Sequence, residues 1–535
     1  MALFIKMAAS MGISFGGSTT CLAIFKDGKT EVIANDAGDR VTPAIVAYNG
    51  KDKDVGIAAK QGRIRNSVNT ISGVKHVLGR KFDDPVIQRQ IQAGPTKIVD
   101  QDGCPVYEVE FKEKATQVKP KEVAALIFKK IKDIASNQGG SRDERDVVLT
   151  APLDYSEASC SILRQVACDA GFNVLRVISE PAAAALAYGL CDAKSLDKSH
   201  VLVYRLGGTS LSVSILQVSS GMLRVIASQT DRTLGGDEFT LLLAKSCAAD
   251  FNRTQKCNIL NNDRAMKKLM SACENSKHIL STLPTAKCSI DSLYDGMDFH
   301  TGTSRVKFES LISGNAQQSI QVIKQLLASV DMTPDQIQKV IFVGGSTRIP
   351  KLQQMIKDAI PKAEVLDSIS PDEIMAIGAA KEAALLSSRG ESIELTELDI
   401  NASCCPKAIA VKVSESSEDA SLEIVIPQFS FLPIRRQHEF NVGKDQTSVC
   451  IQIYGTQEGA SDQEASLLAQ IVIDGLETES EEEFHVTSVF HYRRDGSLHV
   501  TCSEEITGQT QDVMIGPPGH VSSQSEHVSD ELREA

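Results

Sequence analysis

Three short segments place adjacent glycines before hydroxyl side chains: Gly16-Gly17-Ser18-Thr19, Gly207-Gly208-Thr209-Ser210 and Gly344-Gly345-Ser346. Paired glycines let the backbone come close to a bound group and leave N–H donors free. Neighbouring hydroxyls add more donors. The chemistry suits phosphate oxygens. One such loop alone is more often a tight structural turn. Two in duplicated positions, with a third at another strand end, point to a single phosphate-bearing ligand in a cleft between lobes. Neither G-x-x-x-x-G-K-[ST] nor G-x-G-x-x-G occurs, which excludes a P-loop and the usual dinucleotide fingerprint.

The elements around these loops repeat. A strand over Met11–Phe15 runs into the first pair of glycines and a strand over Cys21–Phe25 follows. Asp27-Gly28 is a hairpin turn leading to a strand over Thr30–Ala34. About 190 residues later the order recurs: Val201–Leu206, the second pair, Leu211–Val218, a Ser220-Gly221 turn, and Met222–Ala227. A helix opens at Lys119-Pro120, with Val123, Leu126, Ile127, Ile131 and Ile134 on one face, ahead of a buried-type strand over Asp146–Thr150. Ile320, Ile323, Leu327 and Val330 form the comparable stripe in the second half. Thr333-Pro334-Asp335-Gln336 and Ser370-Pro371-Asp372-Glu373 read as capping boxes, the second opening an Ala-rich helix to about Leu386. The strand Val340–Val343 leads into Gly344-Gly345.

Past residue 390 the pattern changes. Residues 389–400 read as a linker and 401–515 as a β-rich domain, with strands over Ala408–Val413, Leu422–Ile426, Val449–Tyr454 and Leu468–Ile473 and a hairpin at Asp495-Gly496. Residues 516–535 read as a disordered tail and 1–10 as an N-terminal extension, within which Met7 is an alternative start.

Composition narrows the function. The 535 residues carry a net charge of −13, with 56 basic and 69 acidic side chains, so direct nucleic-acid binding is not expected. There is no Trp and only 5% aromatic residues, which leaves few stacking platforms. The 13 cysteines form no C-x-x-C pair, and most read as small buried residues of a reducing compartment. No apolar run reaches the length of a membrane span, and no secretory signal precedes the first strand, so the cytosol is the expected location.

Residues 10–390 resemble the 70-kDa heat-shock chaperone family. The resemblance rests on Val41-Thr42-Pro43, Val74-Lys75-His76-Val77-Leu78-Gly79-Arg80-Lys81-Phe82, Gly171-Phe172-Asn173-Val174-Leu175-Arg176, and Glu180-Pro181-Ala182-Ala183-Ala184. It continues through Leu234-Gly235-Gly236, Ala272-Cys273-Glu274, the run Gly344–Lys351, Pro371-Asp372-Glu373 and Gly378-Ala379-Ala380. The likeness is strongest to the family's short, atypical cytosolic members. It implies an α/β fold: a duplicated actin-like (ribonuclease H-like) nucleotide-binding domain of two lobes over 11–388, followed by a small β-rich domain. Beyond residue 400 the match is faint, and the chain has no room for the helical lid of longer relatives.

The resemblance also implies ATP or ADP as ligand. Phosphate contacts would fall on Gly16, Gly17, Ser18, Thr19, Gly207, Gly208, Thr209 and Ser210. Adenosine contacts would fall on Glu274, Lys277, Ser281, Gly345, Ser346, Arg348 and Asp372. Positions 274, 277, 278 and 281 share one helix face, with His278 where the family usually has Arg. Lys75 matches the family's catalytic lysine, and Glu180 the acid near the attacking water and magnesium. The family's other three acids are missing: Ser14, Arg205 and Ser212 stand in their places. Magnesium is held by carboxylates, often through water, so Mg2+ binding is in doubt and no metal ligands are assigned. A cation near 205 would repel the metal by about 4 kcal/mol at about 4 Å and an effective dielectric of about 20, roughly three decades in an equilibrium constant. The segment Ser392–Leu398, where the family has an apolar linker, is more polar here.

The expected function is an ATP-binding chaperone or co-chaperone with weak ATP hydrolysis. It would act with a J-domain protein on nascent polypeptides at the ribosome. The alternative is an ATP-hydrolysing chaperone that cycles on unfolded clients. A sugar kinase on the same fold is disfavoured, because the heat-shock motifs point elsewhere.

Overall fold

The computed structural model describes residues 10–137, 146–190, 199–219, 222–388, 405, 407–413, 422–427, 430, 434–442, 448–456, 465–474, 484–493, 497–504 and 510–516. The expected Ser220-Gly221 and Asp495-Gly496 turns, the 389–400 linker, and nearly all of the N-terminal extension and tail lie outside these residues. The chain divides into two compact units, Met1–Glu391 and Ser392–Ala535.

In the first unit one strand order occurs twice. The first sheet contains β1 (Ser10–Phe15), β2 (Thr19–Lys26), β3 (Lys29–Val32), β4 (Asp146–Ala151) and β5 (Asn173–Ser179). Its order is β5-β4-β1-β2-β3, with a short Thr42–Pro43 strand also paired to β2. The second sheet contains β6 (Ser199–Leu206), β7 (Leu211–Ser219), β8 (Met222–Asp231), β9 (Lys339–Val343) and β10 (Glu364–Leu366). Its order is β8-β7-β6-β9-β10. In each, the strand entering a glycine pair runs parallel to one neighbour and antiparallel to the other. The sequence repeat is therefore a repeat of topology. At the first hairpin, Asp27 and Gly28 both take positive φ, 51° and 78°, the geometry that joins two twisted strands through two residues.

Each sheet has its own core. Met11, Ile13, Phe15, Val147 and Leu149 pack with Val123, Ile127, Phe128 and Ile131 of helix Pro120–Asn137. Tyr204, Leu206, Val213 and Phe342 pack with Ile320, Ile323 and Leu327 of helix Ser313–Ala328. The last helix, Ile374–Ser388, follows the second sheet in sequence but packs on the first. Gly12 makes this close approach feasible: a β-carbon there would sit 2.2 Å from Ala380 N and 2.3 Å from Ala376 O. Gly378 does the same on the helix's other side, where a β-carbon would sit 1.8 Å from Ala183 O.

The two capping boxes end differently. Thr333 N–H donates to Gln336 Oε1, but only a single 3-10 turn, Pro334–Gln336, follows before the chain turns into β9. Residues 371–373 form a turn, and the Ala-rich helix starts at Ile374.

In the second unit the described strands form two antiparallel four-stranded sheets. One contains Ala408–Val413, Glu423–Ile426, Ser448–Thr456 and Ser466–Asp474; the other contains Ile434–Val442, Phe484–Tyr492, Leu498–Glu504 and Thr510–Ile515. Ile409, Val411, Ile451, Ile453, Phe490 and Val500 lie in the core of this unit. No helix is found among the described residues of this unit.

Candidate functional site

The first two glycine loops close the same turn. Gly16 N–H donates to the carbonyl of Thr19, and Gly207 N–H to the carbonyl of Ser210, each at 3.0 Å. The loops face each other at close range. A β-carbon on Gly17 would lie 2.6 Å from His76 Nε2 and 2.8 Å from Thr209 Oγ1; one on Gly208 would lie 2.3 Å from Ser18 Oγ. The third loop seats on the second. Gly344, at φ 90°, lies against the Leu206 carbonyl, and its N–H donates to the Pro371 carbonyl at 2.8 Å. Ser346 Oγ donates to the Gly207 carbonyl at 3.0 Å. The expected glycines and hydroxyls thus converge, with one exception. Thr19 takes part through its carbonyl, while its side chain is exposed.

Beside the loops lies a charged cluster. The Lys75 ammonium donates to Glu180 Oε1, and Arg205 Nε lies 2.9 Å from Glu180 Oε2. Side-chain exposure is 2% for Lys75, 4% for Glu180 and 11% for Arg205, so one carboxylate holds two shielded cations. Arg205 Nη1 also reaches Ser210 Oγ at 3.4 Å, tying the cluster to the second loop. Burial pushes the Lys75 pKa down; Glu180 opposes this, Arg205 adds to it, and the amine settles at about 8. For Glu180, burial works to raise the pKa, but the charges of Arg205 and Lys75 outweigh it and hold it below the usual carboxylate value. The Tyr155 hydroxyl donates to the Lys75 carbonyl at 2.5 Å and fixes the backbone under the lysine. Glu180, Arg205 and Ser212 line one small cavity together with Pro181 and Met375. Ser14 is buried in β1, opposite Cys21 and Thr150, and is not among the residues lining that cavity.

The proposed base-binding residues gather around helix Asp263–Thr282. Lys277 is buried and donates to the Gly236 carbonyl at 2.7 Å. Gly236 and Asp237, at the start of helix Gly236–Gln255, donate their N–H groups to the carbonyls of Gly207 and Gly208 at 2.9 and 2.8 Å, which links Lys277 through Gly236 to the second loop. Glu274 pairs with Lys60 at 3.0 Å. Arg348 Nε and Nη2 both donate to Asp372 Oδ2, at 3.1 and 3.0 Å, a charge-assisted pair converging on one oxygen. A β-carbon on Gly345 would meet Asp372 Oδ1 at 2.7 Å, so the third loop and that pair are packed together. Ser281 Oγ donates to the Lys277 carbonyl at 3.2 Å, and His278 is exposed. His76, Lys60, Tyr155 and Asp237 enter this arrangement without having been assigned a role from the sequence. Lys75 was the available signal for His76, its direct neighbour.

The family model described as Hsp70 protein matches residues 10–533. The chain belongs to the Hsp70 family. Among curated relatives, heat shock 70 kDa protein 14 of Danio rerio is 46% identical over 508 residues, covering 95% of this chain and 98% of that protein. Its Bos taurus and Homo sapiens counterparts are each 43% identical over 507 residues, covering 95% of this chain and 99% of theirs. The chain is an Hsp70-family chaperone homologous to these proteins. Hsp70 proteins bind ATP and ADP. The three converging loops, with bare glycine backbone facing hydroxyls, suit phosphate groups. Magnesium fits poorly. Glu180 is already bonded to both Lys75 and Arg205, and of the other residues lining the cavity only Ser212 and Ser214 are polar, offering hydroxyls and no carboxylate. No helix among the described residues is long and apolar enough to cross a membrane.

Proposed function

We propose that this Hsp70-family chain binds ATP or ADP between two actin-like lobes and hydrolyses ATP only weakly. It then serves as a nucleotide-loaded chaperone or co-chaperone in the cytosol, with a J-domain protein, on nascent polypeptides at the ribosome. The observation that carries the weak-hydrolysis reading is Glu180 bridging both Lys75 and Arg205. A carboxylate so committed has little capacity left for a hydrated metal. Arg205 supplies positive charge next to the second loop, so phosphate is held by a guanidinium and backbone N–H groups. Gly16, Gly17, Ser18, Gly207, Gly208, Thr209 and Ser210 would hold the phosphates. Lys277, Glu274, Ser281, Gly345, Ser346 and Arg348 with Asp372 would hold the nucleoside. The J-domain and ribosome part rests on likeness to the short cytosolic Hsp70 members.

One observation favours the alternative, a chaperone cycling on clients by ATP hydrolysis. The Lys75–Glu180 pair is intact and buried as a catalytic pair would be. Single-turnover ATP hydrolysis, run beside a pull-down with a J-domain protein, separates the two. Slow turnover unaffected by Lys75→Ala, with retained J-domain capture, is the expected result. Brisk hydrolysis lost in Lys75→Ala would favour the alternative.

A further inference from the structure

His76 follows Lys75 but turns its ring to the other chemistry of the cleft. Its Nε2 lies 2.8 Å from Thr209 Oγ1, joining the Val74–His76 turn to the second phosphate loop through side chains 133 positions apart. The contact requires Gly17. Any β-carbon there would lie within 2.8 Å of both Nε2 and the Thr209 hydroxyl. Thr209 is only half-buried, so its hydroxyl is held on one side and open on the other.

We infer that His76 is a positioning residue for phosphate: its Nε2–H donates to Thr209 Oγ1, which leaves the Thr209 O–H free to donate to a phosphate oxygen. The inference rests on the nucleotide reading above. The two tautomers of a neutral imidazole differ sharply here. With Nε2 bare, Thr209 would give its single proton to the ring and offer only lone pairs to an anion. With Nε2 protonated, the ring and hydroxyl form a relay of donors pointing toward the cradle. A bound phosphate therefore selects the second tautomer, through its differential affinity for it. The ring stays neutral in this setting. Burial, then the charges of Lys75, Arg205 and Arg232, lower its pKa to about 3 against the weaker pull of Glu180. The relay consequently adds a donor without adding a third cation beside Lys75 and Arg205.

The test compares ADP and adenosine binding by calorimetry for the wild-type chain, His76→Ala, His76→Gln, Thr209→Val and the double variant His76→Ala/Thr209→Val. Thermal unfolding serves as the folding control. A hydrogen bond to a charged group gives about a tenfold loss when removed. ADP binding should weaken about tenfold in Thr209→Val and by a smaller factor in His76→Ala, which keeps the hydroxyl but loses what orients it, while adenosine binding is unchanged. The double variant should lose no more than Thr209→Val alone, because both belong to one relay. His76→Gln, whose amide can donate, should recover part of the loss. ADP binding unchanged in His76→Ala, or equal losses for ADP and adenosine, would overturn the relay. A wild-type chain that binds neither ligand would overturn the nucleotide reading itself, a distinct outcome.

Discussion

The first and second glycine loops share a closing backbone bond and differ in charge. Both close a turn with an N–H to carbonyl bond of 3.0 Å, and both follow a strand that is parallel on one side and antiparallel on the other. Two residues before the first glycine, one loop has Ser14, buried and small; the other has Arg205, which reaches Glu180. The repeat keeps the glycine turn while its flanks differ. Backbone turns depend on glycine and on strand order, and they survive substitution of neighbours. Charge depends on single side chains: Arg205 puts a cation where the first loop has the neutral Ser14.

Several substitutions would break or sharpen that contrast. The largest effect belongs to Glu180→Ala. It leaves Lys75 and Arg205 shielded without their anion, and loss of one partner of a buried ion pair costs about 3–5 kcal/mol. Urea unfolding should show that loss, and a change under about 1 kcal/mol would mean that the cluster is hydrated and loose. Next is the combined variant Ser14→Asp/Arg205→Asp/Ser212→Asp, which gives both loops acids. Removing the roughly 4 kcal/mol repulsion should bring in Mg2+-stimulated ADP binding of about two decades or more, read by titration with and without the metal.

A third pair of variants tests the shared turn. A β-carbon on Gly16 would sit 2.3 Å from the Thr19 carbonyl oxygen, which cannot move without opening the turn. One on Gly207 would have nothing nearer than 3.7 Å. Gly16→Ala should cost about 1–3 kcal/mol and Gly207→Ala less than about 0.5, measured as unfolding midpoints. Equal losses would show that the loops are not held as described.

The smallest effect is in pH dependence. Lys75 titrates at about 8 in the folded chain, against an ordinary 10.5. Between those values the unfolded chain binds more protons, so this group makes stability rise with pH from about 8 to 10.5. The rise should be about 1 kcal/mol or more and absent in Lys75→Met, read as urea midpoints at pH 7.5 and 9.5. Glu180 acts at the other end. Its folded pKa lies below 4.5, so its contribution is present above that value and lost as pH falls through the folded pKa.

Much of the first unit was legible because its signals are local. Alternation, apolar runs and turn residues fixed β1, β2, β6, β7 and β9 within about two residues at each end. The Thr333–Gln336 box was legible as a cap, but the single turn that follows it was not. At Ser370–Glu373 the end of the Ala-rich helix was legible and its start was not, because residues 371–373 form a turn and the helix begins at Ile374. After Pro334–Gln336 the chain is drawn into the second sheet at Lys339, and pairing with β6 outweighs a longer helix. What could not be read were pairings between distant side chains. Arg205 and Glu180 were each recognisable, yet their bond depends on how β5 and β6 are placed by different sheets. His76 against Thr209, and Lys60 against Glu274, are likewise products of the folded arrangement. Gly17 was read as a phosphate-facing glycine; its role in admitting the His76–Thr209 contact is visible only from the space around its Cα.

The central claim is that Arg205 takes the place of the metal's charge. Calorimetric titration of the metal-free chain with ADP, in chelator and then in excess Mg2+, tests it most directly. The account predicts binding in chelator that Mg2+ leaves unchanged or weakens. Binding that appears only when Mg2+ is added would contradict it.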